Sequence, residues 1–158
     1  MKTILHIVLF ISISFSSVTT LDAFTIEKHE GVPVENNFVV GPAKIEKRVE
    51  VGETQIVQLV VDNKTGRTQD FWIHFEDFVS GGDEQVVKLL GNESSNTTLK
   101  NFLSVEKKEF TLQHGDRAII PVSISIPVGE KTGGKFGAVV VSAIANRNGI
   151  SAEDRISG

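Results

Sequence analysis

The chain has 158 residues, a formal net charge of −4 and no cysteine. The lack of cysteine excludes disulfides, thiolate metal sites, iron–sulfur clusters and thiol catalysis. The mildly acidic balance argues against nucleic-acid binding, which requires a basic surface, and gives no electrostatic reason for attachment to an anionic membrane.

The N-terminus has the pattern of a secretory signal. Lys2 supplies a positive charge, an almost continuous apolar run covers residues 4–15, and small polar residues follow as far as Ala23. This predicts a signal peptide over residues 1–23. The run is too short for an ordinary membrane span, which takes about 20 residues; a buried strand or an uncleaved anchor is the alternative. We expect an exported protein of the cell surface, periplasm or extracellular space, which contacts the membrane only through an uncleaved signal or an anchor beyond Gly158.

The rest of the chain consists of short alternating segments separated by Gly, Asn, Asp and Pro. That pattern is typical of all-β proteins. We predict an immunoglobulin-like antiparallel β-sandwich of about seven strands over residues 38–145, after an N-terminal extension at 24–37 and before a linker or truncated tail at 146–158. The predicted strands include 54–62, 69–78, 85–90, 109–112, 117–126 and 136–144, and apolar residues also alternate over 43–51.

Three local features refine this prediction. Residues 99–105 could hold one helical turn. Pro121 lies in the 117–126 strand, and since proline has no N–H to donate, that strand should have an open side or a bulge there. Residues 138–141 are continuously apolar, which indicates a strand buried on both faces.

The 69–78 strand carries the candidate binding residues. If Phe71, Ile73 and Phe75 face the core, the alternation turns Trp72, His74 and Glu76 outward. An outward tryptophan beside polar groups is a platform on which a sugar ring can stack. Two alternatives are a reversed phase, with Trp72 in the core, and a loop that covers the ring. Asp77 would then face inward and cap a turn.

No catalytic set is evident. His74 and Glu76 could supply two metal ligands, but a site needs three or four. The sequence has no Gly-x-Ser-x-Gly elbow, and the glycines at 133–137 lack the strand–loop–helix context of a phosphate cradle and indicate a turn. Asn63, Asn92 and Asn96 match the glycosylation sequon, but we interpret them as ordinary turn residues. We expect no enzymatic activity, no metal and no cofactor.

A series of motifs resembles a known family. The motifs are Pro-Ala-Lys-Ile-Glu at 42–46, Val-Gly-Glu at 51–53, Val-Asp-Asn-Lys-Thr-Gly at 61–66, the segment 71–78, Gly-Asp at 115–116, Ile-Ser-Ile-Pro at 124–127 and the glycine-rich stretch at 133–141. Over residues 38–144 the chain resembles bacterial immunoglobulin-like envelope domains, especially the peptidoglycan-binding domain of WxL-interacting proteins. The resemblance implies a wall-associated surface protein with further domains and a C-terminal membrane helix. The sequence shows no such helix, so we expect either a freely secreted protein or a sequence that stops before the anchor. The polar, glycine-containing tail without a closing strand favours the second.

Two functions follow as hypotheses. The first is a non-catalytic module that binds cell-wall polymer, in particular peptidoglycan. The alternative is a structural or protein-assembly module that binds other envelope proteins through β-strand edges, as a pilus chaperone or surface-layer component would. Pro121 and the gap between the 117–126 and 136–144 strands motivate this alternative. Pilus chaperones use two such domains and a basic cleft, whereas one domain is visible here.

Overall fold

The computed structural model describes residues 23–80, 87–91, 93, 95 and 97–144, and almost all regular structure in them is antiparallel β-sheet. The predicted fold class is confirmed. The strands are β1 (Thr25–Lys28), β2 (Asn37–Gly41), β3 (Thr54–Lys64), β4 (Gln69–Glu76), β5 (Phe78–Ser80), β6 (Val87–Leu89), β7 (Leu103–Val105), β8 (Glu109–Leu112), β9 (Asp116–Ser125) and β10 (Ala138–Ile144), with one 3₁₀ turn at Lys100–Phe102. The described residues thus hold more than the seven strands expected, because several very short ones are added to the sheets.

Two sheets form the sandwich. The larger has the order β1-β9-β3-β2, with β7 also paired to β9, and the smaller has the order β10-β4-β8. A separate two-stranded ribbon contains β5 and β6. The predicted 117–126 and 136–144 strands therefore lie in different sheets.

The core fills the space between the sheets. Alternate residues of the central strands are buried, because each strand presents every second side chain to the same face. They are Val57, Leu59 and Val61 on β3, Ala118, Ile120, Val122 and Ile124 on β9, Phe71 and Ile73 on β4, and Phe110 and Leu112 on β8. Burial of each large member stabilises the fold by about 1.5–3 kcal/mol.

Aromatic contacts fix how the sheets overlie one another. Phe38 of β2 meets Phe71 of β4 edge-on, with 5.2 Å between ring centroids. Phe24, just before β1, lies 5.5 Å from Phe110 of β8. The β2 edge of the larger sheet therefore packs over β4, and β10 is the outermost strand of the smaller sheet on that side.

The turn after β3 depends on Asn63. Its fully buried amide donates to the backbone carbonyls of Arg67 and Leu112, at 2.8 and 2.9 Å, and its oxygen accepts from the Thr65 N–H. Asn63 itself belongs to β3, so the turn begins later than predicted, but its side chain holds that turn. Asn92 and Asn96 lie outside the described residues.

The alternating segment at 43–51 is not a strand, contrary to the prediction. β2 ends at Gly41 and β3 begins at Thr54, and no strand pairing includes residues 43–51; backbone hydrogen bonds to Ile126 begin only at Gly52 and Glu53. Lys44 and Glu46 form an ion pair in solvent, while Val49 packs against the core. Alternation indicates one half-buried face, but a strand also requires a neighbouring backbone.

The segment at 24–37, expected to precede the sandwich, contributes β1 to the larger sheet, where Thr25 lies opposite Ile119. Residues 1–22 of the predicted signal peptide and the predicted tail at 146–158 lie outside the described part of the chain.

Pro121 occupies the position that its chemistry predicts. On one edge of β9, the pairing with β1 ends at Ile119 and the pairing with β7 begins at Val122. The proline falls where the neighbour on that edge changes. The predicted helical turn is also confirmed, as the 3₁₀ turn that leads into β7.

Candidate functional site

The outer face of β4 carries the predicted binding residues. Phe71 and Ile73 are fully buried, whereas Trp72 between them is 41% exposed. The outward phase predicted for Trp72 is therefore confirmed, and the reversed phase is wrong. On β10, Ser142 lies opposite Trp72 and Val140 lies opposite His74.

Trp72, His74 and Glu76 form a continuous ladder on this face. The Trp72 and His74 rings stack with centroids 4.5 Å apart and planes at 21°. His74 Nε2 lies 3.6 Å from Glu76 Oε1. His74 Nδ1 and Glu76 Oε2 are closed to solvent and have no hydrogen-bond partner in the described structure. The structure brings the three predicted residues together, and their role in ligand binding stays a prediction.

Asp77, one residue further along, differs from Glu76 because both of its carboxylate oxygens accept hydrogen bonds. It is fully buried; Oδ1 accepts from the N–H groups of Leu99 and Lys100, each at 3.0 Å, and Oδ2 accepts from the Thr98 hydroxyl. Burial raises the pKa of Asp77, but the hydrogen bonds from Thr98, Lys100 and Leu99 outweigh it, so the pKa lies below its ordinary value. The inward, turn-capping role predicted for Asp77 is confirmed.

The second notable surface is the side of β10 that faces away from β4, which we call the open edge. Among the described residues, β10 pairs only with β4. The Ile73 N–H donates to the Lys108 carbonyl at 2.8 Å, on the β8 side, so the backbone groups of Ile73 point away from β10. Ile73 and Val141 are therefore a non-hydrogen-bonded pair, and the N–H and C=O of Val141 point out of the open edge.

Alternation extends this assignment along the strand. The backbone groups of Val139 and Ala143 point out of the open edge as well, whereas those of Val140 and Ser142 point toward β4. Edge strands in soluble proteins usually carry charged residues or proline, which discourage pairing with other chains. Residues 138–144 contain neither.

The side chains of β10 are only partly covered. Val139 and Val141 pack against the core and are half-buried, and Ala143 is exposed. The expectation that residues 138–141 are buried on both faces is wrong, because these residues are only half-buried on the core side and on the outer side alike. An uncharged apolar run fits a central strand and an unprotected edge equally well, so no signal in the sequence would have revealed the edge.

Two shallow hollows lie elsewhere. One, of about 380 Å³, is near the end of β10 and is bordered by Asp70, Phe71, Lys107, Glu109, Phe110, Thr111 and Ile144. The other, of about 290 Å³, is bordered by Phe78, Val79, Thr97 and Phe136. Trp72 borders neither of them.

The described residues contain no cluster of three or more His, Asp or Glu side chains that could hold a metal. Between residues 23 and 144, in the parts described, no helix is long and apolar enough to cross a membrane.

Comparison with known proteins gives little. No protein-family model matches the chain, and no curated protein matches it. Among solved structures, the chain is similar to the class 5 fimbriae chaperone CfaA, with 15% sequence identity and a TM-score of 0.37. The match covers 68% of this chain and 54% of the chaperone, so this chain spans about half of that protein. The resemblance to WxL-interacting proteins stays a prediction.

Proposed function

We propose that this protein is an exported, non-catalytic protein-assembly module of the cell envelope, which binds an extended segment of another protein along the open edge of β10. One observation carries the proposal: Val139, Val141 and Ala143 direct their backbone N–H and C=O groups outward on a strand without charge or proline. The signal-like N-terminus supports export.

The chemistry of this edge suits strand addition. An added strand would hydrogen-bond to the three outward residues, and each such bond contributes about 0.5–1.5 kcal/mol net. Its side chains on the core side would lie beside Val141 and the exposed Ala143, where apolar groups gain most from burial. The partner segment is therefore extended and apolar at every second residue.

The test uses a pair of variants at one position. Ala143→Pro removes an outward N–H and leaves the ladder to β4 intact, whereas Ala143→Val keeps the N–H. A photocrosslinking residue at position 140 is introduced into each form of the full chain, at low concentration in envelope fractions. We expect the wild type and Ala143→Val to label one defined protein, which binds again when purified, and Ala143→Pro to lose it. Equal labelling by all three forms would refute strand addition.

A second candidate function rests on Trp72. The residue is 41% exposed, and the stack on His74 holds its ring in one orientation. On this hypothesis the module binds cell-wall polymer, with Trp72, His74 and Glu76 as ligand-binding residues. The test is co-sedimentation of the full chain with purified sacculi. Saturable pelleting that Trp72→Ala weakens and Trp72→Phe largely keeps would support this function; no pelleting would reject it.

A further inference from the structure

We propose that the open edge of β10 pairs with the same edge of a second copy of this chain, which joins two smaller sheets into one continuous antiparallel sheet. The inference rests on the same open edge as the proposed function, and it goes beyond that function by assigning the edge a second copy of this chain as its partner.

The backbone of β10 is arranged for pairing with itself. Its outward groups lie on Val139, Val141 and Ala143, which are spaced evenly about Val141. In an antiparallel contact with its two-fold axis at Val141, each Val139 lies opposite Ala143 of the second copy and the two Val141 residues face one another. All three pairs are then hydrogen-bonded pairs, which exchange two bonds each, for about six in all. A shift of register by two residues in either direction leaves only two of these pairs within residues 138–144.

The side chains are compatible with the same two-fold axis. On the core side, Val139 meets Ala143 of the second copy and Val141 meets its own equivalent. On the outer side, Val140 meets Ser142 and Ala138 meets Ile144. Each pair is apolar or small, and cross-strand pairs of this kind stabilise a sheet.

The lack of charge favours a second copy over an unrelated partner. In a two-fold contact centred on Val141, a charge at residues 140–142 would lie close to the same charge of the second copy and would be repelled by it. Charged residues make up 23% of the chain, yet none lies in residues 138–144. Self-pairing would also cover Ala143, which is exposed, and the half-buried Val139 and Val141.

The test is the mass of the full chain in solution, measured by light scattering over a range of concentrations. We expect the wild type and Ala143→Val to show twice the mass of one chain and Ala143→Pro to show the mass of one. Circular dichroism and thermal unfolding establish that the proline variant is folded. A second variant, Val140→Lys, keeps every backbone group but puts like charges near the two-fold axis, and we expect it to weaken self-association at least tenfold.

Two results would overturn the inference. One is a wild type with the mass of a single chain up to about 1 mM, the range of a very weak contact. The other is a folded Ala143→Pro that still forms pairs. Slow exchange of the Val139 and Val141 amides in a single-chain wild type would mean that residues beyond Ile144 cover the edge. If a single-chain wild type still captures an envelope protein through position 140, this inference fails and the proposed function stands. If the chain pairs with itself but captures no other protein, this inference stands and the proposed function fails.

Discussion

β9 and β10 carry the two most apolar runs among the described strands, yet their surroundings differ. β9 pairs with β3 along one edge and with β1 and β7 along the other, and Ala118, Ile120 and Val122 are almost completely buried. β10 pairs with β4 alone in the described structure, and its core-facing residues range from half-buried to exposed. The comparison shows that the apolar content of a strand limits how much apolar surface it can bury. The place of the strand in its sheet decides how much of that surface is buried.

The largest effect should come from truncation in the closed strand. Ile120→Ala leaves a cavity where the surroundings cannot collapse, so we expect a loss of about 2–5 kcal/mol in the free energy of unfolding. Val139→Ala on β10 should cost clearly less, because its site is already partly open. Urea denaturation of both variants measures the difference, and equal losses would mean that β10 is as enclosed as β9.

Proline substitution tests the orientation of the β10 backbone. Ser142→Pro removes an N–H that faces β4, opposite Trp72, and we expect a cost of about 1–3 kcal/mol because a ladder hydrogen bond is lost. Ala143→Pro removes an N–H that faces outward and should cost less than about 1 kcal/mol. Chemical denaturation of the two proline variants measures which one loses more stability. The reverse order would show that the strand is turned the other way.

The sequence predicted the class of fold, the central strands and the outward turn of Trp72, because these depend on a period of two that local residues set. It also predicted the change at Pro121, since a missing N–H is a local property. It failed at 43–51 and at 138–141. In both cases the missing information was which backbone lies alongside, and that depends on residues distant in sequence. The contacts of Asp77 with residues 98–100 were out of reach for the same reason.

Asp77 follows the end of β4, near the start of β10. We expect its substitution to change the free energy of unfolding by an intermediate amount. Its pKa is lowered in the folded protein, so the folded state holds the proton less tightly than the unfolded state. The contribution of Asp77 to stability is therefore present above the ordinary aspartate pKa and is lost as the pH falls through the lowered value. We expect Asp77→Asn to cost about 1–3 kcal/mol at neutral pH.

The pH dependence separates charge from shape at this position. Between about pH 5 and pH 2, the denaturation midpoint of the wild type should fall more steeply than that of Asp77→Asn, which has no proton to gain. Glu46→Gln is the control for an exposed carboxylate: its hydrogen bond with Lys44 lowers the pKa of Glu46 as well, but the pair lies in solvent, so we expect a smaller change in slope. If the denaturation midpoints of the wild type and Asp77→Asn fall in parallel with pH, Asp77 does not contribute to the loss of stability in acid.

We expect the smallest effect on stability from substitution of Trp72. Because Trp72 is the only tryptophan in the chain, its fluorescence also reports directly on the outer face beside β10. With 41% of the residue exposed, Trp72→Phe should cost less than about 1 kcal/mol, since a phenyl ring can still stack on His74. Native fluorescence should be quenched by acrylamide to a degree between that of a buried indole and that of the unfolded chain. Self-pairing at β10 should leave this quenching unchanged, because Trp72 lies one strand away from the open edge on the outer face. Strong protection in the single-chain protein would instead indicate that another segment covers the ring, and the wall-polymer hypothesis would then lose its platform.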